Sequence, residues 1–262
     1  MVKTPALILV AGWGYTAQAL ERVASVLRRG YETRVTSTHE IASRLDTTPS
    51  RSSKSVKRNS SMSSYAKGLC SVATGLEENA SPCVVVGWSA GGVVGLEMAC
   101  ENPGSLKGLV VIGATPKFCS EGEYPWGVST RNVRAMIMEI KKDSRAVLNR
   151  FFQDVTWPAV ESESCRNEKM DAARNMGIEN LVQGLEYLRK MDLRERLKEV
   201  EIPILIIHGR EDRIVPWQAG AWLNRSLCNS RIIIHEGVGH DIPGRQPVVV
   251  ASQIRTFLED RC

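Results

Sequence analysis

Residues 83–92 read Cys-Val-Val-Val-Gly-Trp-Ser-Ala-Gly-Gly. Ser89 stands in a Gly-x-Ser-x-Gly pattern, after a short apolar run and before a helical pattern. Glycines two positions to either side of a serine remove Cβ atoms where the chain must turn sharply, and the turn lifts the hydroxyl clear of the strand end. The same turn sets Ser89 at a helix N-terminus, whose N–H groups favour developing negative charge. A hydroxyl so placed suits nucleophilic attack on an acyl carbon, provided that a base takes its proton.

The chain has four histidines. His39 lies in a polar stretch. His208 and His235 close the apolar runs Ile-Leu-Ile-Ile-His and Arg-Ile-Ile-Ile-His, the usual place of hydrogen-bonded structural histidines. His240 lies in Glu-Gly-Val-Gly-His-Asp-Ile-Pro, a glycine-bearing loop after the last such run, where a ring can swing over a sheet edge. A base of this kind needs an anion to hold its tautomer. His-Gly-Arg-Glu-Asp-Arg-Ile-Val-Pro offers Glu211 and Asp212. Asp212 is preferred, one residue deeper into the turn. The segment after Leu109–Ile112, Gly-Ala-Thr-Pro-Lys-Phe-Cys-Ser, has no carboxylate. The oxyanion then needs two N–H donors. Ala90, after the nucleophile, supplies one. Trp13 supplies the other, from the loop Ala-Gly-Trp-Gly-Tyr that Gly12 allows to turn.

These residues must be carried by strands. Apolar, β-branched runs predict strands at Ala6–Val10, Tyr31–Thr36, Cys83–Val86, Leu109–Ile112, Ile204–Ile207 and Arg231–His235. Helical patterns at Ala17–Arg29, Ser61–Leu76, Ser89–Cys100 and Val248–Leu258 alternate with them. Such alternation predicts an α/β protein, a mainly parallel sheet with helices on both faces. Residues 117–200 break the rhythm. They hold no convincing strand but show amphipathic segments at Val133–Ile140, Ala146–Val155 and Leu181–Met191. The expected organisation is a core of residues 1–116 and 201–262 with a helical lid inserted at 117–200. Residues 47–64 carry Arg51, Lys54, Lys57 and Arg58 with no acid and read as a solvated loop or, less simply, a docking site for an anionic partner.

A chain of 262 residues with 43% apolar and 24% charged residues is an ordinary globular composition. The net charge of +5 is mild, and no nucleic-acid-reading signature accompanies it. The seven cysteines are odd in number and lack C-x-x-C spacing, which favours a reducing compartment, the cytoplasm. No run approaches the roughly 18 apolar residues of a membrane span.

The order Ser89, Asp212, His240, with the Gly-Trp-Gly loop, Gly-Trp-Ser-Ala-Gly-Gly and the helical insertion, resembles the α/β-hydrolase superfamily. Trp13 after Gly12 and Trp88 before Ser89 narrow the resemblance to the pimeloyl-[acyl-carrier protein] methyl ester esterases of biotin synthesis. The stretches Phe-Cys-Ser-Glu-Gly-Glu-Tyr-Pro-Trp-Gly and Arg-Phe-Phe-Gln are similar to that family's lid. The resemblance implies an α/β-hydrolase fold with Ser89 as nucleophile, Asp212 as acid and His240 as base, and Trp13 and Ala90 as the oxyanion hole. It also implies Trp13 and Phe151 against the acyl chain. Arg150 matches a lid arginine that meets the carrier, and Arg145 adjoins a second basic lid position. Three features depart from the family. Ala11 replaces its histidine, two opening strands are missing, and the Ser/Lys/Arg stretch replaces a glycine-rich turn.

The expected reaction is two-step acyl transfer from ester to Ser89 and then to water, with no metal or organic cofactor. Between residues 131 and 150, Arg131, Arg134, Lys141, Lys142, Arg145 and Arg150 face only Glu139 and Asp143, which suits an anionic acyl carrier protein as partner. A monomer with neither nucleic-acid nor membrane partners is expected. A general small-ester carboxylesterase or thioesterase is the nearest alternative, and a non-catalytic ligand-binding α/β-hydrolase is the alternative of another class.

Overall fold

The computed structural model describes residues 4–47, 62–75, 83–101 and 103–262. The basic stretch Arg51, Lys54, Lys57 and Arg58 lies outside them. In chain order the strands are β1 (Leu7–Ala11), β2 (Thr33–Ser37), β3 (Cys83–Trp88), β4 (Leu106–Ile112), the two-residue β5 (Cys119–Ser120) and β6 (Val128–Ser129), then β7 (Ile204–Gly209) and β8 (Ser230–His235). Six of them form one sheet in the order β2-β1-β3-β4-β7-β8, and each pairing is parallel. Parallel strands covered on both faces need side chains that tolerate burial on both. β1 and β3 are accordingly buried along their whole length.

The helices are α1 (Glu21–Leu27), α2 (Thr38–Thr47), α3 (Ser64–Thr74), α4 (Ala90–Glu101), α5 (Thr130–Lys142), α6 (Ser144–Thr156), α7 (Glu163–Asn175), α8 (Ile178–Lys190), α9 (Trp217–Ser226), the short α10 (Ile242–Arg245) and α11 (Pro247–Arg261). α4 is apolar apart from Glu97 and buries all of its residues from Ala90 to Ala99, as a helix following a central strand must. No helix among the described residues is long and apolar enough to cross a membrane.

The structure departs from the sequence-based expectation in several places, including helices α7 and α9, for which no helical pattern is expected. α2 was not anticipated; it follows β2 with no intervening breaker and is mostly polar, so periodicity hides it. β4 begins at Leu106 rather than Leu109, because Lys107 and Gly108 interrupt the apolar run without ending the ladder. Residues 117–200 do contain strand, the single pair β5 and β6. Most of the rest of that segment is the four helices α5 to α8, with a 3-10 turn at Arg194–Glu199.

The segment leaves and rejoins the sheet at one place. Leu193 N–H donates to Pro116 C=O, and the buried Lys117 ammonium reaches Asp192 Oδ2 at 2.8 Å and Glu121 Oε2 at 2.8 Å. A second tie lies farther along, where Tyr187 of α8 donates to buried Glu97 of α4 at 2.9 Å. Glu97 also accepts from the Ser63 amide and hydroxyl, each at 2.7 Å. A buried carboxylate satisfied by three donors locks α3, α4 and α8 together.

Candidate active site

β1 and β2 run outward to one side of the sheet and β3, β4, β7 and β8 to the other. The strand order therefore reverses between β1 and β3, and the crevice at the carboxyl ends of those strands is where parallel sheets place their ligands. The loop after β1 and the turn after β3 meet there. A Cβ on Gly12 would lie 2.7 Å from Ser89 Cβ and 3.3 Å from its Oγ, so the loop holding Trp13 can approach the hydroxyl only because residue 12 has none.

Ser89 has φ +56°, the one positive value among the described non-glycine residues. L-residues avoid this left-handed region, and holding one there costs of the order of 1 kcal/mol or more. The surroundings enforce it. Ser89 N–H donates to Ile112 C=O at 2.8 Å, and its own carbonyl accepts from Gly92 and Val93, opening α4. Added methyl groups at Gly87 and Gly91 would meet backbone atoms of residues 91 and 10 at 2.4 and 2.2 Å. Those two glycines let strand and helix fold back at so small a spacing. Ala90 is the first residue of α4, where N–H groups lack intrahelical acceptors.

His240 and Asp212 are both buried. His240 Nδ1 lies 2.7 Å from Asp212 Oδ2. Asp212 Oδ1 accepts from the amides of Ile214 and Val215, both at 2.8 Å, so the carboxylate is fixed in its own turn. Burial works to raise the Asp212 carboxyl. The facing His240 and the hydrogen bonds from His208 and His240 outweigh it and hold the group well below the usual carboxylate range. The Asp212–His240 pair is joined to Ser89 through the end of β4. Gly113, next to the Ile112 carbonyl that holds Ser89, has φ +54°. A Cβ there would stand 3.2 Å from His240 Nδ1 and 3.4 Å from Asp212 Oδ2. Trp88 completes the frame, donating its indole N–H to the His240 carbonyl at 3.0 Å.

With Nδ1 engaged, His240 Nε2 is the remaining nitrogen. It is buried and has no hydrogen-bond partner, so no bond joins it to Ser89 Oγ in this structure. Such bonds are often long without substrate and tighten as it binds.

A cleft of about 520 Å³ opens over Ser89. Trp13, Phe118, Val133, Met136 and Phe151 are among its apolar walls, and Glu139, Arg150, Asp154 and Arg213 its charged ones. Trp13 and Phe151 meet edge to face at 4.8 Å. Arg150 is ion-paired with Glu139. Arg145 is not at this cleft. It lines a separate groove between α6 and α7 and is bonded to Asn167 at 3.2 Å.

Sequence reasoning missed the part played by His208. It is wholly buried, its Nε2 lies 2.8 Å from Val215 C=O and 3.4 Å from Asp212 Oδ2, and it thereby braces the carboxylate. The Gly113 contact was missed as well. His235 is bonded to the side chains of Gln246 and Gln253, away from the site.

Asp241, next to His240, has the opposite electrostatics to Asp212. Burial raises its carboxyl, and the cations Lys169 and Arg245 offset only part of that. Its Oδ1 also caps α10 by accepting from Gly244 N–H at 3.1 Å. Asparagine caps equally well and carries no charge. Asp241→Asn is therefore expected to raise Tm by a few degrees at pH 7. A carboxyl raised in the folded state costs stability above its folded pKa, and the cost disappears as pH falls toward the unfolded value near 4. The gain of the variant should close over that window in pH-dependent thermal melts; a gain that persists in acid would contradict the assignment.

The family model described as serine aminopeptidase, S33, matches residues 51–245. A pimeloyl-[acyl-carrier protein] methyl ester esterase of Aromatoleum aromaticum is 29% identical over 249 residues, covering 90% of this chain and 91% of that one. The enzyme of the same name from Nitrosomonas europaea is 29% identical over 167 residues, covering 60% of this chain and 63% of its own, just under two thirds of its length. Among solved structures, a bromoperoxidase from Bacillus anthracis superposes with a TM-score of 0.82 at 20% identity, covering 98% of this chain and 92% of that one; it shares the fold. With most of the chain inside the matching region, Ser89 and Asp212 included, the chain belongs to the serine aminopeptidase S33 family of α/β-hydrolases and is a serine hydrolase.

Proposed function

We propose that the protein is a carboxylesterase that hydrolyses pimeloyl-[acyl-carrier protein] methyl ester to the free carboxylate and methanol, in the cytoplasm. In this reading His240 Nε2 takes the Ser89 proton as Oγ attacks the ester carbonyl. The Trp13 and Ala90 amides receive the oxyanion. His240 then protonates the methoxide as the C–O bond breaks, leaving the acyl group on Ser89. Water, deprotonated by the same nitrogen, releases the carboxylate and restores Ser89. Asp212 keeps Nδ1 protonated throughout and stabilises the imidazolium. Trp13 and Phe151 line the path of the acyl chain, and residues 117–200 act as the lid over it.

One observation carries the choice of a carrier-bound substrate. Arg131, Arg134, Met138, Lys141 and Lys142 are all exposed on α5 and recur at helical spacing along one stripe. The adjoining face of the same helix, Asn132, Ala135, Met136 and Glu139, lines the cleft. A cationic stripe with an exposed methionine (68% accessible) at its centre suits an acidic carrier whose arm must enter beside it. Arg150 stands at the same mouth, paired to Glu139. Arg145 lies on a different groove and adds less to this surface.

The test compares pimeloyl-carrier methyl ester with p-nitrophenyl butyrate. Raising ionic strength from about 0.05 to 0.5 M should lower kcat/KM for the carrier substrate at least about tenfold, while the small ester changes less than about twofold. Arg131→Glu combined with Lys141→Glu should lower the ratio of the two kcat/KM values by a similar factor. Equal salt dependence for both substrates would leave a small-ester carboxylesterase in place of the carrier reading.

A further inference from the structure

The side chain of Trp13 is held by the inserted helices rather than by the sheet whose loop carries it. It is 5% exposed. Its indole N–H donates to the Leu181 carbonyl of α8 at 2.8 Å. One helical turn later, α8 has Gly184, and a Cβ at that position would stand 2.6 Å from Trp13 Cδ1 and 3.1 Å from Nε1. On the other side the ring packs edge to face on Phe151 of α6. Glycine inside a helix is disfavoured relative to alanine. Here its cost has a reason: the pyrrole edge of the indole comes so close to the α8 backbone that a Cβ at 184 would collide with it.

We infer that Gly184 and the Leu181 carbonyl are positioning elements for the Trp13 backbone amide, so that α8 sets the geometry of the oxyanion site. The inference rests on the reading of that amide as an oxyanion donor and adds a specific source for its placement. Gly12 leaves the loop without side-chain packing at its turn, and the neighbouring Gly14 has φ +73°. The turn is held by its own backbone, where Gly12 C=O accepts from Tyr15 N–H, and the indole anchor fixes the orientation of the residue beyond it. Donors act on the transition state only when placed at hydrogen-bonding distance from the forming oxyanion, and small displacements cost large factors in rate.

The test is a double-mutant cycle with a spectroscopic control. Gly184→Ala should lower kcat for p-nitrophenyl butyrate about 10- to 100-fold with KM within about twofold. Its Tm should fall by only a few degrees, because the better helix propensity of alanine offsets part of the cost of moving the indole. In a Trp13→Ala background, which keeps the amide but removes the indole, Gly184→Ala should cost nothing further. The six tryptophans each give an indole N–H signal in a ¹H–¹⁵N spectrum. The Trp13 signal, identified by its loss in Trp13→Phe, should shift in Gly184→Ala. Wild-type kcat in Gly184→Ala, or an equal loss in both backgrounds, would overturn the inference while leaving the esterase reading intact. Absence of ester turnover in the wild-type protein would instead strike the esterase reading itself.

Discussion

Ser89→Ala is expected to lower kcat for any ester substrate by about 10⁶-fold, leaving only the modest acceleration that oxyanion donors and binding provide. Loss of the hydroxyl removes the covalent route outright. It should not unfold the protein, because the turn is held by backbone contacts: Ser89 N–H to Ile112 C=O and the Ser89 carbonyl to Gly92 and Val93. Alanine also keeps the φ of +56°, so the strain stored at the turn remains and Tm should move by no more than about 2 °C. The expected pattern with a second substitution is more diagnostic. In the proposed mechanism Ser89 and His240 act as one unit, so Ser89→Ala with His240→Ala should be no worse than either alone. Independent, multiplying losses, or turnover surviving in Ser89→Ala, would place the nucleophile elsewhere. p-Nitrophenyl butyrate hydrolysis, with circular dichroism as the folding control, measures both.

Asp212→Asn should cost about 10⁴-fold in kcat at neutral pH. The amide oxygen can still accept from the Ile214 and Val215 amides, as Oδ1 does now at 2.8 Å each. The amide nitrogen then occupies the place of Oδ2, where it donates to His240 Nδ1. That forces the proton onto Nε2, the nitrogen that must be bare to accept from Ser89. The same substitution should lower Tm. A carboxyl depressed in the folded state contributes stability that is fully present above its unfolded pKa, near 4, and lost as pH falls through the folded value. The Tm deficit of Asp212→Asn should therefore be complete at pH 7 and shrink only in strong acid. A variant within tenfold of wild-type kcat at pH 7 would show that Asp212 does not orient the histidine.

The rim of the sheet was legible in the sequence because each segment announces itself locally. Cys-Val-Val-Val before Ser89 and Ile-Leu-Ile-Ile before the Asp212 turn are runs that a doubly covered strand accommodates, and both strands are fully buried. Arg-Ile-Ile-Ile before the His240 loop is the same β-branched signal on the half-buried edge strand β8. A parallel sheet could be read from them, and with it the prediction that all three side chains stand at strand ends. What could not be read is contact between distant segments. Nothing near Gly113 says that its missing Cβ leaves room for an imidazole 127 positions later in the chain. Nothing near Gly184 points to Trp13. His208 looked like a structural histidine and is one, yet the group it braces is Asp212. Helix α2 escaped because its residues are mostly polar and no breaker separates it from β2.

The indole of Trp88 bears on how such a protein can be re-engineered. It reaches from the residue before Ser89 to the carbonyl of His240. Any side chain lacking that N–H would strand a buried acceptor at a cost of about 1–3 kcal/mol and loosen the turn at Ser89 and the His240 loop at once. Position 88 is thus a poor target for libraries seeking new ester preferences. Phe118, Val128, Leu185 and Leu188 line the same cleft as Ser89, and under the proposed reaction they are the better targets for retuning selectivity.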